Sequence, residues 1–144
     1  MGGDKRRVAS KAVLVNEDSN VLGGRLVECG TDPLTGFYRD GCCSTGREDL
    51  GSHTVCAVVS QEFLTQQRAA GNDLITPRPE YGFAGLRPGD RWCVCAARWR
   101  QAYESGAAPG VLLAATHARA TDVIPLEILR KYAVDVPADP SELG

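Results

Sequence analysis

With 144 residues, 43% of them hydrophobic and 24% charged, the chain has the size and composition of one globular domain that can bury a core without relying on a metal or on disulfide bonds. A formal net charge of -2 supplies no general attraction for phosphate backbones or anionic lipid, so nucleic acid is not an expected partner, and no apolar run approaches the roughly 20 residues of a membrane helix. Residues 1–10 carry Lys5, Arg6 and Arg7 without an apolar segment, so no export signal is read and a cytoplasmic protein with reduced thiols is expected.

Residues 1–18 are polar apart from 12–15 and read as a flexible arm with at most one short edge strand. Residues 21–27 predict a short strand interrupted by Gly23 and Gly24. From 29 to 53 the chain has glycines at 30, 36, 41, 46 and 51 and no apolar period, which is a long loop that Phe37, Tyr38, Cys42 and Cys43 keep packed. Residues 54–59 are β-branched and continuously apolar, as a buried strand requires. Ser60 then caps a helix that runs to Ala70 and stops at Gly71. Residues 72–90 form a second loop, made rigid by Pro77, Pro79 and Pro88.

Residues 90–106 admit two readings. Trp92, Cys95, Ala96, Trp99 and Tyr103 recur at helical spacing, with Asp90 placed as N-cap and Gly106 as terminator; this favours a helix throughout. In a strand, Cys93 and Cys95 would share a face, whereas in a helix they point roughly 200° apart. A strand at 111–114, a short helix from His117, a helix over 126–133 and a flexible tail at 135–144 complete the chain. The elements predict an α+β fold: a small single-layer sheet packed by several short helices, with long ordered Gly/Pro-rich loops, in one globular domain spanning 19–134.

Six cysteines stand at 29, 42, 43, 56, 93 and 95, and no pair has the C-x-x-C spacing of zinc ribbons or thioredoxin-like sites. The turn at 40–47 has the glycine spacing of a Walker A loop, but Arg47-Glu48 replaces its Lys and hydroxyl residue, so a nucleotide site is not read. Cys42 or Cys43 is a candidate nucleophile, with His53 as base and Asp49 as the residue that orients it. Against that stands the reading of both as loop packers, with Cys56 and Cys95 in the core. Arg39, Asp40, Arg78 and Glu80 are candidate ligand-binding residues, the last two held on a backbone fixed by Pro77 and Pro79. Adjacent cysteines make a poor tetrahedral set, so no metal ligand is assigned.

Four blocks carry a resemblance: Thr31-Asp32-Pro33-Leu34-Thr35-Gly36-Phe37-Tyr38-Arg39-Asp40-Gly41-Cys42-Cys43, His53-Thr54-Val55-Cys56-Ala57, Thr76-Pro77-Arg78-Pro79-Glu80-Tyr81 and Gly89-Asp90-Arg91-Trp92-Cys93. In these the chain resembles the family known as domain of unknown function 2237, over roughly residues 21–133. The resemblance implies a compact α+β domain of bacterial type. That family has no assigned activity, so no catalytic residue or cofactor is carried over.

Two rigid loops, 39–53 and 77–90, are therefore expected to meet over the strand at 54–59 and to form a site for a small-molecule ligand or a small enzyme's substrate. The alternatives are an interaction module that docks a protein partner on these loops, and a structural zinc domain. The residues specify no cofactor.

Overall fold

The computed structural model describes residues 18–135. The apolar run that predicts a buried strand becomes the central strand, β1 (His53–Val58), of a three-stranded antiparallel sheet. On one side it pairs with β2 (Arg91–Cys95) and on the other with the two-residue β3 (Gly110–Val111), giving the order β2-β1-β3. Side chains alternate across a strand, so the sheet has two differently furnished faces. Val55, Ala57, Trp92 and Val94 belong to the main core, with Phe63, Leu64, Trp99, Leu113 and Leu129. Cys56 and Cys93 belong instead to a smaller cluster with Cys29, Cys43 and Ala115.

Helix α1 (Gln61–Ala69) follows β1 and is capped as expected, the Ser60 hydroxyl accepting from the Phe63 N–H at 3.1 Å. Helix α2 (Ala96–Glu104) follows β2 without a loop, and Cys95 is its N-cap. Its Trp99 is fully buried, stacks on Tyr103 and meets Tyr132 edge-on. Helix α3 (Leu126–Lys131) closes the described chain against the core through Leu129. The architecture is α+β, a small open sheet with a few short helices.

Several expectations need correction. The stretch predicted as one helix from Asp90 is a strand over Arg91–Cys95 followed by a helix, because pairing with β1 outcompetes the helical spacing of Trp92 and Cys95. Asp90 is not an N-cap; its carboxylate accepts from the Arg87 N–H at 2.9 Å. Residues 21–27 form no strand but a turn between isolated bridges, with the Asn20 carboxamide oxygen accepting from the N–H groups of Leu22 and Gly24. The strand expected at 111–114 gives way after Val111 to a 3-10 turn over Leu113–Ala115. His117 precedes a 3-10 turn, Ala118–Asp122, and caps it by accepting from the Arg119 N–H. Except for Asp18 and Asp135, the expected arm and tail lie outside the described residues.

The largest correction concerns the thiols. Cys29 is bonded to Cys56, and Cys43 to Cys93, so four of the six are disulfides rather than reduced thiols. Closing chain segments of 27 and 50 residues stabilises the fold by about 4 kcal/mol each in a chain-entropy account. Both bonds fasten the long first loop to one face of the sheet. Hydrogen bonds reinforce them: the Cys29 N–H donates to the Gly41 carbonyl, the Cys93 N–H to the Thr35 hydroxyl and the Cys56 N–H to the Thr116 hydroxyl.

Candidate functional site

The two cysteines outside the disulfides are Cys42 and Cys95, and they sit in opposite surroundings. Cys42 is buried, and that burial, with the nearby Asp40 and Glu28 carboxylates, pushes its thiol up to about 11. Such a thiol is held in its unreactive form at neutral pH. Cys43 has no thiol, being bonded to Cys93. The two cysteines singled out as nucleophile candidates are thus one deactivated and one consumed.

Cys95 is half-buried at the junction of β2 and α2. Its Sγ lies 3.1 Å from His53 Nε2, and His53 Nδ1 lies 2.6 Å from Asp49 Oδ1. The candidate base and orienting residue therefore do come together, but around Cys95 rather than Cys42 or Cys43. Asp49 is firmly fixed: its side chain is fully buried, and its Oδ2 accepts from the His53 N–H at 2.8 Å and the Thr45 hydroxyl at 3.0 Å. Phe37 stacks on the imidazole at a ring separation of 5.8 Å.

Local backbone geometry explains the meeting. β1 and β2 run in regular register from Val58 opposite Arg91 to Val55 opposite Val94, and then slip by one residue, so that His53 lies opposite Cys95. Such a bulge re-aims a side chain. Ser52 just before it has a left-handed φ of 52°, and its carbonyl accepts from the Ala96 N–H at 3.0 Å, tying the loop to the first turn of α2. Gly51 lies against both side chains: a Cβ there would stand 2.9 Å from Cys95 Sγ and 3.2 Å from His53 Cε1.

The charges follow from these contacts. The hydrogen bond with Cys95 raises the His53 imidazole most; burial opposes it, and the bond to Asp49 adds to it, placing it at about 9. Burial pushes the Asp49 carboxyl up, but the bonds from the His53 ring, the His53 N–H and Thr45 outweigh that and hold it below its ordinary value. His53 is therefore an imidazolium at neutral pH, between a carboxylate and a sulfur.

Two clefts adjoin the Cys95–His53 end of this chain of groups. One, of about 350 Å³, is lined by Leu50, Gly51, Cys95, Ala97, Arg98 and Gln101. Here the first turn of α2 leaves the N–H groups of Ala97 and Arg98 without intrahelical acceptors, at the positive end of the helix. The other, of about 280 Å³, has His53 in its wall together with Arg39, Arg78, Tyr81, Phe83 and Trp92. The two loops expected to meet do so here. Arg39 lies over the Trp92 ring at 5.2 Å and donates to the Gly36 carbonyl, while the backbone of Arg78 is bonded in both directions to Phe83. Asp40 serves its own turn, accepting from the Cys42 N–H at 3.0 Å, and Glu80 is exposed in the Pro79–Tyr81 turn. Asp40 and Glu80 line neither of these clefts.

Cys95 is the residue that sequence reasoning placed in the core. Its signal was the strand-to-helix change between Cys95 and Ala96, which the helical spacing of the tryptophans concealed. No helix among the described residues is long and apolar enough to cross a membrane.

No curated protein matches the chain. A family model described as an uncharacterized protein conserved in bacteria (DUF2237) matches residues 19–133, which include Asp49, His53, Cys95 and both disulfides. The chain belongs to the DUF2237 family.

Proposed function

We propose that the protein is a thiol-dependent acyl-transfer enzyme in which Cys95 is the nucleophile, His53 the proton carrier and Asp49 the residue that fixes His53. The observation that carries this reading is the continuous chain Cys95 Sγ, His53 Nε2, His53 Nδ1, Asp49 Oδ1, with links of 3.1 and 2.6 Å. A nucleophile within hydrogen-bond reach of a base that is itself oriented by a third group is the arrangement covalent catalysis requires. Reactive cysteines occur at helix N-termini beside an imidazolium, as Cys95 does.

The reaction runs in two steps. Cys95 attacks an acyl carbon as a thiolate, its proton having passed to His53 Nε2, and a C–S bond forms as the bond to the leaving group breaks. The leaving group takes its proton from His53 Nε2. Neutral His53 then accepts a proton from water, or from another acceptor nucleophile, which attacks the thioester and releases Cys95. The developing oxyanion is assigned to the first-turn N–H groups of Ala97 and Arg98, two residues that line the sulfur's cleft. Arg39 and Arg78, with the aromatic wall of the second cleft, supply the ligand-binding surface beside His53.

The test uses the full chain with its disulfides intact, treated with p-nitrophenyl acetate and with a small acetyl thioester. An initial burst of leaving group and an acetyl adduct mapped to Cys95 are expected. The burst and adduct disappear in Cys95→Ala and slow strongly in His53→Ala. An adduct that forms at the same rate without His53, or none on Cys95 with either probe, overturns the assignment.

A further inference from the structure

Away from Cys95, two disulfides lie side by side and bring four sulfurs into one place. Cys56 and Cys93 are directly opposite one another on β1 and β2, and each is bonded to a cysteine of the first loop. The Sγ atoms of Cys29, Cys43 and Cys93 all lie within 4.8 Å of one another, and Cys56 Sγ is 2.06 Å from Cys29 Sγ. All four residues are at most 1% exposed, and Ala115 is the remaining buried member of the cluster.

A tetrahedral thiolate site needs zinc–sulfur distances of about 2.3 Å, which separates the sulfurs by about 3.8 Å. In this cluster Cys29, Cys43 and Cys93 already lie within 4.8 Å of one another, and Cys56, bonded to Cys29 and opposite Cys93 on the neighbouring strand, stands beside them as the fourth sulfur. The segments that carry the sulfurs are also held by bonds that do not involve sulfur: the Cys29 N–H to Gly41, the Cys93 N–H to Thr35 and the Cys56 N–H to Thr116. These contacts hold Cys29, Cys56 and Cys93 independently of the disulfides, and Cys43 follows Gly41, which accepts from Cys29, by two residues. Arg91, whose Nη1 reaches the Cys29 carbonyl at 3.5 Å, brings positive charge close to a site that would be negative when loaded.

We infer that Cys29, Cys43, Cys56 and Cys93 constitute, in the reduced protein, a four-thiolate site for a thiophilic divalent cation, zinc above all, so that the paired disulfides and the metal site are two states of one cluster. The interconversion balances. Two dithiol molecules each give two electrons and two protons to one disulfide and become cyclic disulfides, leaving four thiols. The cation then displaces four protons as it takes four thiolates. Sulfur ligands and tetrahedral geometry select zinc over the hard oxygen-seeking cations magnesium and calcium.

The experiment compares the full chain with its disulfides intact and after anaerobic reduction with a dithiol that is then removed. Cobalt(II), a spectroscopic probe of thiolate sites, is titrated into both, followed by zinc. The reduced protein is expected to bind one cobalt per chain, with sulfur-to-cobalt charge transfer and tetrahedral ligand-field bands that zinc abolishes; the oxidised protein shows neither. Alkylation of the zinc-loaded protein, mapped by mass, leaves Cys29, Cys43, Cys56 and Cys93 protected and Cys95 modified. The variant Cys42→Ser/Cys95→Ser retains the cobalt spectrum, which separates this cluster from the nucleophile's site. A reduced protein that keeps its circular dichroism but binds no cobalt, one that unfolds and does not recover on adding zinc, or a spectrum lost in the double variant overturns the inference.

Discussion

Replacing Gly51 by alanine tests whether the contact between Cys95 and His53 serves reactivity or merely packing. The new Cβ would stand 2.9 Å from Cys95 Sγ and 3.2 Å from His53 Cε1, whereas carbon atoms in ordinary contact stand at roughly 3.5–4.0 Å. Gly51 lies outside the left-handed region, so its backbone accepts a side chain, and the strain falls on the neighbours. The sulfur is the end of a side chain with a single χ angle, beside an open cleft, and gives way by roughly 0.5–1 Å. The cost in stability is at most about 1 kcal/mol, partly offset by the lower chain entropy of the unfolded alanine variant, so the melting temperature shifts by no more than about 4 °C. The 3.1 Å link to Nε2 is lost with that movement, and a misplacement of about 1 Å lowers the rate of a positioned reaction by about 100-fold. Alkylation of the non-reduced protein by iodoacetamide, followed by peptide mapping and set beside a thermal melt, measures both quantities. Reactivity at Cys95 within about twofold of the parent, or a large loss of stability at unchanged reactivity, would refute the reasoning.

The His53 imidazole, raised from 6.5 to about 9, stabilises the fold fully below its unfolded value, and that contribution is lost as pH rises through about 9. The difference in urea midpoint between the parent and His53→Gln should therefore shrink between about pH 6 and pH 9.5, and a constant difference would contradict the linkage. Because the bond to Cys95 is the larger cause of the shift, Cys95→Ala should lower the NMR titration midpoint of His53 more than Asp49→Asn does. Asp49→Asn keeps the shape but removes the charge that orients the imidazolium, so acylation of Cys95 should slow by about 100-fold or more, read from the p-nitrophenyl acetate burst. Thr35→Val leaves the buried Cys93 N–H without its acceptor and should cost about 1–3 kcal/mol in a urea denaturation curve, with Cys95 alkylation unchanged.

The parts of the fold legible in the sequence are those set by local rules. The continuous apolar run became β1, and Ser60 capped α1 because its hydroxyl needs only the N–H three residues on. Asp49 and His53 could be paired on residue type and proximity, four positions apart on one loop. The disulfides were not legible, since their partners are 27 and 50 residues apart and converge only once β1 and β2 are in register. Cys95 was hidden for a related reason. Trp92, Cys95, Trp99 and Tyr103 fit one helical stripe, but Trp92 lies in a strand and Trp99 in a helix, and both reach the same core from different elements. Periodicity cannot distinguish a single helix from a strand and a helix that bury their tryptophans together.

Both sulfur systems are set by one ladder, and by one irregularity in it. Extending the regular pairing below Val55 opposite Val94 would place Thr54 opposite Cys95 and His53 opposite Ala96, beyond the end of the strand. A hydroxyl at that position gives the thiol no base. The extra residue at the bulge replaces Thr54 by His53 as the partner of Cys95, and the left-handed Ser52 with its bond to the Ala96 N–H holds the slipped register in place. The regular part of the same ladder, one rung from Val55 and Val94, sets Cys56 opposite Cys93, where each takes a cysteine from the loop that also carries Asp49. A slip of one residue in that regular part would turn the cysteine face toward the main core and part both pairs at once. The disulfides therefore fix the register from which the bulge departs, and the bulge then joins His53 to Cys95.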